Sequence, residues 1–205
     1  MVERSIEQKV CDKLLLLWLI KKGSSLDAYK LQKVPFRAEY ELQKEGKRAF
    51  NYEFFQYDQG PLSIEVYEDR EFLREQSLIS VDGFTARITP TGEKLLSEFE
   101  EVFKRNRAVV QRLEESIRQF SKMSGAELVA DTHDMMVRWE GRRMRIGDLP
   151  RHATILSQPR MSSLELDSAT LETLIIHFHR ELIDNLRKAR KEGFTSSPYK
   201  PLVTA

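Results

Sequence analysis

The chain is short of several things, and each shortage excludes a class of protein. It has a single cysteine, Cys11, so it holds no intramolecular disulfide and no cysteine-based zinc set, and a reducing cytoplasm is its natural setting. Charge of one sign is missing too: 33 Lys and Arg against 32 Asp and Glu leave a net charge of +1, without the global basic excess of many nucleic-acid binders. No apolar run is long enough to span a bilayer. The longest, LLLLWLI from Leu14 to Ile20, is bracketed by Lys13, Lys21 and Lys22, begins too late for a secretory signal and lacks its cleavage site. Walker loop, dinucleotide glycine motif, nucleophile elbow and helical zinc-protease motif are all absent, so no cofactor, metal or catalytic residue is assigned.

What is present is enough apolar material, 40% of 205 residues, to build a core. Ile6 to Lys22 reads as a helix ending at Gly23, apolar on nearly every face and therefore surrounded by others. Ser24 or Ser25 can cap a second helix carrying Leu31, Val34 and Tyr40 on one side, which Pro35 kinks or limits. In FNYEFFQY, Phe50, Tyr52 and Phe54 alternate as in a strand, and the Phe54-Phe55 doublet signals a bulge. Gly60 permits a sharp turn, and Pro61 suits the first turn of a helix running to Gln76 with Leu62, Val66, Phe72 and Leu73 inward.

LISVDGFTARITPTGEKLL reads as strand, Asp82-Gly83 turn, strand and a helix capped at Thr89-Pro90, an ending that resembles the wing of a winged-helix domain. From Glu93 one helix of roughly 45 Å is expected to reach Lys122. Its three-four stripe from Leu96 through Phe99, Phe103, Asn106, Val110, Leu113, Ile117 and Phe120 fits a coiled-coil seam and a homodimer through Phe99 to Phe120. The same stripe fits a helix packed within its own chain with Asn106 at a bend, and that reading is favoured because bundle helices show it as well. Ser124 caps a helix expected from Gly125 to Trp139, Arg138 to Arg160 is irregular, and Asp167 or Ser168 caps a last helix to Glu192 before a polar tail. The fold class is mainly α with a small antiparallel β element, a helical bundle with a winged-helix-like hairpin and one long helix. Residues 1-140 form the first part, and 141-205 an Arg-rich connection plus a C-terminal helix packing on it.

His177 and His179 stand two apart on a helix and cannot readily share a metal, and His133, beside Asp131 and Asp134, is read as a capping or packing group. The helix after Pro61 carries Glu65, Glu68, Asp69, Glu71 and Glu75 against Arg70 and Arg74, which would repel phosphate, so DNA reading through it is not favoured and a protein partner is. Arg142, Arg143 and Arg145 lie in the Arg-rich run, where arginine favours carboxylate or phosphate contacts.

Three pieces, LDAYKLQKVPFRAEYEL, FFQYDQGPLSIEVYEDREFL and GAELVADTHDMMVRW, resemble in order and spacing the Panacea domain, the SocA-like antitoxin family, over residues 8 to 140. The positions that correspond are Leu31, Gln32, Lys33, Tyr57, Gly60, Pro61, Val66, Tyr67, His133 and Trp139, taken as fold-defining. The resemblance implies a non-enzymatic module that neutralises a neighbouring toxin by direct binding or hands it to a protease. Glu65, Glu68, Asp69, Arg142, Arg143 and Arg145 are the candidate partner contacts. A winged-helix regulator that binds DNA as a dimer is the alternative.

Overall fold

The computed structural model describes residues 3–120, 122–157 and 164–179. Helix α1 (Ile6–Gly23) is the axle of the fold. Ser5 opens it with a capping box: the Ser5 hydroxyl accepts from Gln8 N, and the Gln8 side chain accepts from Ser5 N. Every residue from Val10 to Ile20 is buried, as a helix without a polar face requires. Around it pack α3 (Ile64–Glu75), α4 (Pro90–Glu98), α6 (Arg107–Phe120) and α8 (Ser168–Phe178).

Helix α2 (Ala28–Lys44) starts at Asp27, whose carboxylate accepts from Lys30 N at 2.9 Å, and not at Ser24 or Ser25. It runs through Pro35 without ending there. Between α2 and α3 lies a small antiparallel sheet of order β2-β1-β7, made of β1 (Phe54–Tyr57), β2 (Gly60–Leu62) and β7 (Thr154–Leu156). Phe50 and Tyr52 precede the strand yet are buried and stacked at 5.1 Å, so their alternation reports core packing ahead of the ladder. The register does shift between Phe54 and Phe55, as the doublet indicates. Pro61 is not in a helix. It lies in the edge strand β2 opposite Gln56, where a missing N–H is tolerated, and Ser63 is the N-cap residue of α3.

The hairpin of β3 (Ile79–Asp82) and β4 (Thr85–Ile88) turns at Gly83-Phe84 and passes into α4 through Thr89, whose hydroxyl accepts from Gly92 N at 3.1 Å. Leu26 adds an antiparallel bridge to Ala86, so helix, bridge, helix, helix and hairpin follow in the order of a winged helix, with β1-β2 inserted.

The helix expected over residues 93–122 is divided into α4, α5 (Glu100–Arg105) and α6, with Phe99 and Asn106 at the breaks. Asn106 is buried there for a local reason. Its Nδ2 donates to the carbonyls of Val102 (2.9 Å) and Glu165 (3.2 Å), and its Oδ1 accepts from Glu165 N (2.8 Å), so the amide clasps the segment leading into α8. Leu96, Phe99, Phe103, Leu113, Ile117 and Phe120 are all buried within the chain. That apolar stripe is consumed by the core and cannot also serve as a dimer seam.

Helix α7 (Gly125–His133) is capped by Ser124 as expected but ends at His133. Met136–Trp139 is strand β5, paired with β6 (Arg142–Arg145) around a Glu140-Gly141 turn whose φ angles are 47° and 78°. Trp139 is therefore a strand residue, position 140/141 falls within a hairpin turn, and the Arg-rich stretch is built, over its described residues 138–157, from this ribbon, a 3-10 turn at Ile146–Asp148 and β7, while Arg160 lies outside the described residues. Asp167 caps α8 through Thr170 N, whose bond holds its carboxyl down at about 2. The rest of the last helix expected to Glu192 lies outside the described residues. Among the described residues no helix is long and apolar enough to cross a membrane.

Candidate functional site

The three family-like pieces meet at the β1-β2 corner. Gln32, on α2, faces Ser63 and treats it as a neighbouring strand would: Nε2 donates to the Ser63 carbonyl at 3.0 Å, and Oε1 accepts from Ser63 N at 2.9 Å. Its neighbour Lys33 donates from Nζ to the Pro61 carbonyl at 2.8 Å. Both side chains are buried, so the bonds are made away from water.

Gly60 shows why no other residue serves at the corner. Its φ is +83°, and a Cβ there would stand 3.1 Å from Cδ2 and 3.2 Å from Nε2 of His133, with Lys33 Nζ at 3.6 Å. Lys33, Gly60 and His133, far apart in the sequence, thus share one small volume. Val66 is buried beneath the corner, and Leu31 is buried beside the Gln32-Lys33 pair on α2. Of the ten family positions only Trp139 sits elsewhere, on the ribbon, half-buried against the core.

Above the corner opens a cleft of about 700 Å³, lined by Tyr29, Gln32, Lys33, Tyr57, Gly60, Leu62, Tyr67 and Phe84, with Gly125 and Ala126 from the start of α7. Three of its aromatics are exposed: Tyr29, Tyr67 and, most of all, Phe84 at 77%. Tyr29 packs on Gly125, where a Cβ would come within 2.9 Å of the ring. Burial pulls the Lys33 ammonium down to about 7. It also lowers the pKa of His133, helped by the Lys33 charge, and His133 Nε2 is buried without a hydrogen-bond partner. The base of the cleft therefore holds a buried amine, with the His133 imidazole packed against Gly60 behind it, under an aromatic rim. Such a site suits an apolar group that carries one or two polar atoms.

The acidic helix is organised differently from its sequence reading. Of its acids, Glu65 and Asp69 are buried. Glu65 accepts from the Ser63 hydroxyl at 2.6 Å. Asp69 receives Arg4 Nη1 at 2.7 Å and the Tyr52 hydroxyl at 3.0 Å, with Lys13 at 3.7 Å. Arg4 also donates to Asp12 at 2.9 Å. Burial opposes the Arg4 charge, but Asp69 and Asp12 outweigh it and raise its pKa, while burial pushes the Asp12 carboxyl up to about 7 against the pull of Arg4. Glu65 and Asp69 hold the core together and are not available to a partner. Glu68 does face solvent, as do Arg142, Arg143 and Arg145 on the ribbon.

Sequence reasoning missed Tyr29 and Phe84. A phenylalanine in a two-residue hairpin turn is a readable signal, because such turns are normally polar or glycine. Tyr29 had none, since one residue at a helix start does not reveal which way it faces.

Compared with protein-family models, with curated proteins and with solved structures, the chain matches none.

Proposed function

We propose that the protein is a non-enzymatic binding module that holds an apolar segment of a protein partner in the cleft between α2, the β1-β2 corner and the β3-β4 turn. The observation that carries this reading is the exposure of Tyr29, Tyr67 and Phe84 around one apolar hollow. Aromatics clustered around a pocket are where binding energy concentrates in protein interfaces, and three exposed ones around one hollow form the kind of patch that marks an interaction site. The resemblance to SocA-like antitoxins makes the partner a toxin encoded nearby, neutralised directly or delivered to a protease.

The outward side of α3 supports a protein partner over DNA. Ile64, Tyr67, Glu68, Arg74 and Glu75 are exposed on it, a mixture with more acid than base, and Glu71 is already bound by Arg70 and Arg74. On this reading the winged-helix-like hairpin presents Phe84 to a protein and does not track a phosphate backbone.

Co-expression with the products of adjacent genes tests the proposal. A partner should co-purify and lose its toxicity, and Tyr67→Ala with Phe84→Ser should weaken the complex by tenfold or more while leaving the melting temperature within a few degrees. Co-purification undiminished in that double variant would sink the cleft assignment, and no rescue by any neighbour would sink the antitoxin role.

A further inference from the structure

A second surface stands apart from the cleft. In the β5-β6 ribbon Met136 pairs with Arg145 and Arg138 with Arg143, so Arg138, Arg143 and Arg145 share one face, while Val137 and Met144 share the other and pack on the core. The ribbon is pinned at its base, where the Tyr40 hydroxyl donates to the Met136 carbonyl at 2.7 Å and Ile146 N donates to the Met135 carbonyl at 2.9 Å.

Its outer face is electrostatically unsettled. Arg138 lies directly opposite Arg143, and like charges in that register repel. Arg145 has only a long contact to Asp134, at 3.7 Å. Arg138 and Arg143 are exposed and make no ion pair with any described residue. Between this face and α2 runs an open groove of about 630 Å³ whose lining includes Arg37, Lys44, Arg138 and Arg143 against Glu41. Glu41 is bound to Lys44 at 2.9 Å, and Arg37 faces Asp131 at 3.8 Å, so the uncompensated charge is that of Arg138 and Arg143.

We propose that this groove and ribbon face bind the phosphodiester backbone of a single nucleic-acid strand. The ribbon's cations are all arginine, whose planar fork takes two oxygens of one phosphate. Arg143 and Arg145 follow each other at the two-residue spacing of a strand, roughly 6.6 Å, and can meet successive charged groups of an extended chain. Tyr40 and Met136 line the same groove and offer an apolar and aromatic surface to a sugar or base. The groove runs between α2 and the ribbon, where a single flexible strand can follow it. Binding is independent of sequence, because no side chain here is set to read a base edge.

Fluorescence anisotropy of a labelled oligothymidylate with the full chain tests this. Binding is expected at low salt, with log K falling against log salt at a slope of roughly −2 for three arginines at about 0.7 each. Arg138→Gln with Arg143→Gln should cost at least tenfold in affinity and flatten the slope by about 1.4. Its melting temperature should hold or rise, because a repulsive pair has been removed. Arg145→Gln alone should give a smaller loss and supplies the same readout if the double variant folds poorly. The proposal is overturned if the native chain ignores the oligonucleotide at low salt, if the variants bind as well as the native chain, or if a duplex of equal length competes as well as the single strand. Displacement by polyglutamate as readily as by unlabelled oligonucleotide would also overturn it, and would assign the face to an acidic protein.

Discussion

Replacing Gln32 by leucine asks whether the family-like motif is structural in the way its contacts indicate. Leucine fills much the same volume but offers neither a donor nor an acceptor. The Ser63 N–H and C=O, both in a fully buried residue, would each lose their side-chain partner. An orphaned buried backbone group costs about 1–3 kcal/mol, and the extra apolar burial of leucine returns part of that, so a net loss of about 2–4 kcal/mol is expected. Urea denaturation with an unchanged m value measures it. Gln32→Glu makes the argument sharper, because a carboxylate can still accept from Ser63 N but sets its second oxygen against the Ser63 carbonyl. That variant should be at least as unstable as Gln32→Leu at pH 7 and should recover on acidification, when the protonated carboxyl regains a donor. A loss below about 0.5 kcal/mol for Gln32→Leu, within the range of an ordinary surface substitution, would refute the clamp.

Other substitutions probe the same framework. Gly60→Ala should cost about 1–2 kcal/mol for its left-handed backbone, and more from the contact with His133; adding His133→Ala should return the steric part only, and full recovery would show that φ is unimportant there. Asn106→Leu removes the clasp on Glu165 and should open residues 164–179 to limited proteolysis before the rest of the chain; uniform digestion would contradict that role. Lys33 makes stability depend on pH with a definite sign. Its native pKa of about 7 lies below the ordinary 10.5, so as pH falls from 10.5 towards 7 the unfolded chain takes up a proton that the native one refuses, and stability declines. Below about 7 both states are protonated and the effect is constant. Lys33→Met should therefore flatten the stability curve between pH 7 and 9.5 relative to the native chain, and parallel curves would count against a desolvated amine.

The acids of α3, which in sequence suggest one outward face for a partner, are divided between core and surface, whereas Arg138, Arg143 and Arg145, which look like part of an irregular run, are arrayed by strand pairing into one face. The cleft and the ribbon take their floors from the same helix α2, through Gln32 and Lys33 at one end and Tyr40 and Lys44 at the other.

Local chemistry determined much of the fold. The unbroken apolarity of Val10 to Ile20 demanded a surrounded helix, Thr89-Pro90, Ser124 and Asp167 marked helix starts, and Asp82-Gly83 marked the hairpin, because each signal acts within a few residues. Where two periods fit, the sequence alone did not choose. Leu128, Val129, His133 and Met136 suit a helix, yet Met136 to Trp139 also alternate, and pairing with Arg142 to Arg145 decided for the strand. The stripe from Leu96 to Phe120 carried no mark of whether its partner was another chain or its own core. Asp69 is the clearest case: a carboxylate can be buried only if a cation follows it inward, and Arg4 stands 65 residues upstream. The residues set which groups could pair, but only tertiary structure brought Arg4 to Asp69, Gln32 to Ser63 and Lys33 with His133 to Gly60, because those contacts depend on how whole elements cross and not on what lies beside them in the chain.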